Sequence, residues 1–190
     1  MVEVVYWFAV IKSFMKLIEI SIGENFPEKI NAVIEIPKGT SNKYEYDEKT
    51  GSIKLDRVLH SSLHYPVDYG FIPQTRAEDG DPGDVLVLTD SPVFSGCILE
   101  VRPIGLLKMT DENGKDNKVL AVPIGNPHMK NIKSINDVQE HVLKEITHFF
   151  EQYKVLEEKF VKVDSWGMKE DAIKLIETEH RVFLAENKHE

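Results

Sequence analysis

The run DGDPGD, residues 79–84, sets three aspartates and two glycines around one proline. Asp79 and Asp81 are two apart in a turning segment, so their carboxylates can share a side. Pro82-Gly83 then turns the chain to bring in Asp84 at the start of a strand-like run. Carboxylates crowded in this way repel one another unless a cation lies between them, and oxygen donors select hard ions such as Mg²⁺, Mn²⁺ or Ca²⁺. The spacing does not suit an EF-hand: counted from Asp79, the sixth and twelfth places hold Asp84 and Asp90 where Gly and Glu are required. An acidic Gly/Pro turn is also what a merely solvated loop looks like, so the chemistry has to be sought in the residues around it.

A second acidic cluster lies in KMTDENGKDNKV, residues 108–119, where Asn113-Gly114 signals a hairpin carrying Asp111, Glu112 and Asp116. Asp116 and Lys118, two apart, face the same side and offer a carboxylate for a cation beside an ammonium for an anion. Lys43, Glu45 and Asp47 alternate along KYEYD. Arg57 follows Asp56, Tyr65 and Tyr69 bracket PVD in HYPVDYGFIP, and Tyr153-Lys154 ends a helical stretch. This mixture suits a metal-bridged polyanion: carboxylates hold ions, ions and Lys/Arg neutralise phosphate oxygens, and tyrosine hydroxyls donate hydrogen bonds without adding charge. Singly, each of these residues is an ordinary surface charge or half-buried tyrosine; their joint occurrence carries the reading.

The elements that must position them change in period along the chain. NAVIEIP (31–37), KYEYD (43–47), SIKLDRVL (52–59), DVLVLT (84–89), GCILEVRPIGLLKM (96–109) and KVLAVPI (118–124) read as strands, and Met15 opens a further strand-like KLIEI. After Asn136, an expected N-cap with Gln139 three residues on, Leu143, Ile146, Phe150 and Tyr153 form a helical stripe. A second helix follows Gly167, with Ile173, Ile176, His180, Phe183 and Leu184 on its stripe. The expected class is α+β, mainly β: a small barrel with two helices packed outside, without internal repeats.

Composition narrows the function further. A chain of 190 residues with 42% hydrophobic and 29% charged residues is expected to form one globular domain. Acidic residues outnumber basic ones 32 to 23, giving a net charge of -9 with no basic run, which argues against nucleic acid. The single cysteine, Cys97, allows no internal disulfide and is expected to be a plain buried thiol. The apolar N-terminal stretch MVEVVYWFAVIKSFMKL is too short to span a bilayer and has the wrong flanks for a secretory signal. Residues 1–14 are therefore expected to lie outside a single domain at 15–190. His141 and His148 share a helix face without metalloprotease spacing and are expected to be structural or surface residues.

The acidic signature and its neighbours resemble soluble family I inorganic pyrophosphatases. DGDPGDV is similar to that family's aspartate signature, and EIPKGTSNKYEYD, LDRVL, YPVDYGFIP, RPIGLLKMTDENGKDNKVLAVP and HFFEQYK are similar to its other blocks, in order, from about Ile18 onward. One departure falls inside the signature, where Gly83 stands in place of the family's usual aliphatic residue and removes a side chain that would pack the loop. The resemblance implies a five-stranded, OB-like barrel and hydrolysis of pyrophosphate to two orthophosphates by direct attack of water. It matches Asp79, Asp84 and Asp116 to ligands of the tightest metal, and Asp111 and Glu45 to carboxylates serving further Mg²⁺ ions, with Mn²⁺ or Zn²⁺ as substitutes. Asp81 matches the general base and Tyr69 the tyrosine that tunes it. Lys43, Arg57, Lys118, Tyr153 and Lys154 match the phosphate-holding groups, while Glu35 and Tyr65 match positions lining the cavity. It also implies a cytoplasmic homohexamer, with no nucleic acid or membrane partner. Two other readings stay open on the residues: hydrolysis of another phosphate ester or anhydride, such as a nucleotide, and an OB-like binding module. The absence of a P-loop motif favours a compact substrate.

Overall fold

The computed structural model describes residues 16–187; the expected N-terminal extension, residues 1–14, lies outside them. Strands β1 (Ile30–Ile36), β4 (Asp68–Phe71), β5 (Asp84–Val87), β8 (Lys118–Pro123) and β6 (Ile98–Asp111) pair in that order, and β6 pairs back onto β1. Five strands thereby close into a ring, as expected. β2 (Asn42–Asp47) and β3 (Ser52–Val58) form a separate hairpin, and β7 (Gly114–Lys115) and β9 (Val161–Met168) extend the sheet along β6.

β6 has 14 residues because it serves several partners. Its first part pairs with β1 from Ile98 to Val101, its middle with β8, and its far half with β9 from Gly105 to Asp111. Register shifts at Pro103/Gly105 and Lys108/Met109 bend it between these roles. β5 and β8 are parallel and almost wholly buried, as continuous apolar strands covered on both faces should be. Their alternate residues feed two cores. Leu86, Leu88, Leu120 and Val122 pack with Ile146, Phe149 and Phe150 of α1 (Glu140–Gln152). Val85, Val87, Val119 and Ala121 pack with Ala172 and Ile176 of α2 (Lys169–Glu186). The strands thus carry a helix-facing apolar side chain at every position, and their polar chemistry is confined to their ends.

Several local expectations are corrected. KLIEI is a 3₁₀ turn at Leu17–Glu19 that buries Ile18 against Val33, Phe71 and Phe183. HYPVDYGFIP contains β4, whose Gly70 obscured the strand pattern; a Cβ there would overlap the Val33 carbonyl oxygen, so only glycine lets β1 and β4 approach. Between the two helices the chain forms β9, a strand whose weak alternation gives no sequence signal. Asn136 sits in a 3₁₀ turn, Ile135–Asp137, and α1 begins at Glu140, after Gln139. The buried face of α2 is Ala172, Ile176, Glu179 and Phe183, whereas Leu184 is exposed. Cys97 is half-buried just ahead of β6. His141 and His148 are exposed on α1, in agreement with a surface role.

Candidate active site

The ends of β4, β5 and β8, the β6–β7 hairpin and the β2–β3 hairpin surround an open cleft of about 970 Å³. Its floor is set by strand register. Asp84 opens β5 and Lys118 opens β8, and the parallel pairing places the two opposite each other. The Lys118 ammonium, almost wholly buried, donates to Asp84 Oδ2 at 2.5 Å and Asp116 Oδ1 at 2.7 Å, with the Tyr69 hydroxyl at 3.4 Å. Burial works against this charge, but Asp84 and Asp116 outweigh it and hold the ammonium above its ordinary pKa. Burial also pushes the Asp84 carboxyl up, Lys118 pulls it down and Asp116 raises it, for a net upward shift. Tyr69 is raised well above the usual phenol range, first by burial and then by Asp84 and Asp116. It stays a neutral hydroxyl at any ordinary pH.

The aspartate loop rises from this floor. Asp81 N–H donates to Asp79 Oδ1 at 3.0 Å, an Asx turn that sets the loop's curvature, and both carboxylates are exposed toward the cleft. Partial burial, followed by the Asp79 charge, raises the Asp81 pKa. On the opposite wall Lys154 binds Asp111 Oδ2 at 3.0 Å; burial opposes the charge on Asp111, but the Asn113 N–H and Lys154 hold its pKa below the ordinary value. Tyr153, buried at the end of α1, stacks on Phe149 with centroids 5.2 Å apart, and Tyr65 packs on the same ring at 4.7 Å. The β2–β3 hairpin contributes Lys43 and Glu45, which pair with each other, and Arg57, which binds Asp56 at 2.5 Å and Glu157 at 3.0 Å. Glu35 lies behind the hairpin, accepting from Tyr46 N–H at 2.6 Å, and burial lifts its pKa to about 8.

All the expected site residues except Tyr65 line this one cleft; Tyr65 lies in the adjoining core. Among the described residues, no three acidic, His or Cys side chains stand in ligating geometry. Asp84 and Asp116 are instead held on a shared cation, the Lys118 ammonium. The chemistry of the donor set therefore fits hard cations: carboxylate oxygens from two strand ends already converge on a positive charge, with Asp79, Asp81 and Asp111 around them.

Three further residues, which no sequence motif marks, support the cleft. Arg76 donates to Glu48 at 2.6 Å and to the Gly80 carbonyl at 2.7 Å, bracing the aspartate loop. Glu157 anchors Arg57. Glu179, from α2, fills the space beside Gly83, where a Cβ would overlap its Oε2. The slot left by the missing aliphatic side chain is thus filled from another element. Only Glu179 carried a readable signal: residues 172, 176, 179 and 183 share a helical face, and a charge among them breaks the apolar stripe.

Residues 32–183 match the family model described as inorganic pyrophosphatase. Inorganic pyrophosphatase of Sulfolobus acidocaldarius is 50% identical over 157 residues, covering 81% of this chain and 91% of that protein. That of Methanosarcina acetivorans is 49% identical over 158 residues, covering 83% and 94%. The crystal structure of inorganic pyrophosphatase from Thermus thermophilus superposes with a TM-score of 0.83 at 47% identity, over 85% of this chain and 95% of that one. With the ring of five strands, the cleft at its strand ends and these likenesses together, the chain belongs to the family I inorganic pyrophosphatases.

Proposed function

We propose that the protein hydrolyses inorganic pyrophosphate to two orthophosphates in a metal-dependent reaction, with Mg²⁺ as the metal. The observation that carries this reading is the Asp84–Lys118–Asp116 cluster, which holds carboxylates and an ammonium together at the open ends of two parallel strands. Asp79, Asp84 and Asp116 would hold the metal most tightly, and Asp111 and Glu45 would serve further ions. Bound there, Mg²⁺ supplies charge neutralisation for the phosphate oxygens and lowers the pKa of the attacking water.

The chain's own groups do the rest. In a protein of net charge -9 the cleft gathers Lys43, Arg57, Lys118 and Lys154 against a polyanionic substrate. Arg57 and Lys43 reach the cleft from the hairpin and Lys154 and Tyr153 from the end of α1, so both elements supply donors for the phosphate oxygens. Asp81, exposed and with its pKa raised by burial and by Asp79, accepts the proton of the attacking water. Tyr69, kept protonated by its buried place, donates a hydrogen bond and adds no charge beside Asp84. Lysine and arginine stabilise charge on the departing phosphate, so no covalent intermediate is needed. We also propose a cytoplasmic homohexamer, which light scattering of the purified protein and cell fractionation would check.

Phosphate release from pyrophosphate, triphosphate and nucleotides, with and without Mg²⁺, tests the function. The expected result is fast, magnesium-requiring release from pyrophosphate that falls about a hundredfold or more in Asp81→Asn. Release from nucleotides but not pyrophosphate would overturn the substrate, and an undiminished Asp81→Asn rate would overturn the base.

A further inference from the structure

Glu179 is a carboxylic acid where the period of α2 calls for an apolar residue. It is 8% exposed, shares its buried face with Ala172, Ile176 and Phe183, and its Oε2 has no hydrogen-bond partner. A buried, unpartnered carboxyl costs folding free energy, so its presence needs a reason. The reason lies opposite it. A Cβ built on Gly83 would overlap Oε2 and stand 3.0 Å from Cδ, so the Glu179 carboxyl occupies the volume a side chain at 83 would take.

Gly83 is the pivot of the aspartate loop. Its N–H donates to Thr75 Oγ1 at 2.8 Å and its carbonyl accepts from Ile72 N–H at 2.8 Å, which fixes the backbone immediately before Asp84. The same turn of α2 grips the other end of the loop. The Glu179 carbonyl accepts from Arg76 N–H at 3.0 Å, and the His180 ring bonds the Gln74 carbonyl at 2.7 Å. Arg76 in turn holds the Gly80 carbonyl. The helix therefore touches the segment from residue 74 to residue 83 at both ends, through the Glu179 carbonyl and the His180 ring at one and through the Glu179 side chain at the other.

We propose that Glu179 is a positioning residue for the metal-holding loop, its carboxyl replacing from α2 the side chain that position 83 lacks and so seating Asp79, Asp81 and Asp84. The proposal rests on the reading that these aspartates hold the metal. Glu179 and Gly83 then form a complementary pair, in which enlarging one is tolerated only if the other is reduced. Burial first, then Asp84, Asp79 and Glu78, push the Glu179 pKa up to about 8, and an amide at 179 would fill the same volume beside Gly83.

Calorimetric titration of Mg²⁺ at pH 7 into the wild type, Glu179→Gln, Glu179→Ala, Gly83→Val and the double variant Gly83→Val/Glu179→Ala tests this, with melting curves alongside. Glu179→Gln should bind Mg²⁺ within about twofold of wild type, whereas Glu179→Ala should bind about tenfold or more weakly, as loss of a supporting residue does. Gly83→Val alone should be impaired or unfolded. The double variant should fold and return to within about threefold of wild type, a coupling that independent sites would not give. If Glu179→Ala lowers the melting temperature but leaves the Mg²⁺ isotherm unchanged, Glu179 is only structural and the proposal fails. It fails also if the double variant is no better than Gly83→Val, whether in binding or in folding. A wild type that binds no Mg²⁺ would overturn the metal assignment of the aspartates, and the proposal with it.

Discussion

Lys118 combines two tasks that pull its environment in opposite directions. Its ammonium is buried to 2% exposure, which is tolerable only because Asp84 and Asp116 lie within hydrogen-bonding distance. Removing it leaves two carboxylates facing each other. We predict that Lys118→Ala loses about 3–5 kcal/mol of stability in EDTA, the cost of orphaning a buried charge. Mg²⁺ should return more of that loss in the variant than it adds to the wild type, because a divalent cation can satisfy the same oxygens. Urea unfolding with EDTA and with Mg²⁺ measures both, and equal magnesium effects would refute the shared-cation view. At this scale the site was readable where chemistry-bearing residues sit at fixed offsets: Asp79, Asp81 and Asp84 in one turn, Asp116 and Lys118 two apart. Arg76 and Glu157 were hidden because their roles depend on contacts distant in sequence, 28 residues for Arg76 with Glu48 and 100 for Arg57 with Glu157.

The elements were legible where a residue pattern is long and uninterrupted. β1, β8 and the long β6 are runs dominated by apolar, often β-branched residues, and the stripe of α1 follows Leu143, Ile146, Phe150 and Tyr153 as spacing demands. β4 has four residues and a glycine, and β9 alternates only weakly, with a single buried position, Gly167; both take their strand form from pairing with β1 and β6, which no local pattern records. The β2–β3 hairpin carries Lys43 and Arg57 to the cleft. It stands outside the ring, and Arg57 ties it to the segment after α1 through Glu157, whose side chain is 6% exposed. Breaking that tie should free the hairpin wall without touching the aspartates. Glu157→Ala is therefore expected to raise KM for pyrophosphate by about tenfold, equivalent to about 1.4 kcal/mol of lost positioning, while kcat falls little. A fall confined to kcat would show instead that Glu157 acts on the chemical step.

At the scale of the whole molecule, the acids buried behind the cleft make stability depend on pH. Glu35 and Glu179 both have pKa values lifted to about 8 from an ordinary 4.5, chiefly by burial. Between those values the native protein keeps protons that the unfolded chain releases. Stability without metal must therefore fall as pH rises from about 5 to 8, by up to about 1.4 kcal/mol per pH unit for each group, and level off above that range. Asp111 has the opposite sign: its lowered pKa contributes stability above the ordinary carboxylate range that is lost as pH falls below it. The metal-free protein should accordingly be most stable near pH 5, with the fall toward pH 8 flattened in Glu35→Gln and Glu179→Gln. Urea midpoints in EDTA across this range provide the measurement, and a midpoint that is constant or rises from pH 5 to 8 would show that both acids ionise in the native state. The same linkage gives divalent metal a further stabilising role at neutral pH, where cations on Asp84 favour ionised carboxyls around them. Added Mg²⁺ should therefore raise the midpoint more at pH 8 than at pH 5.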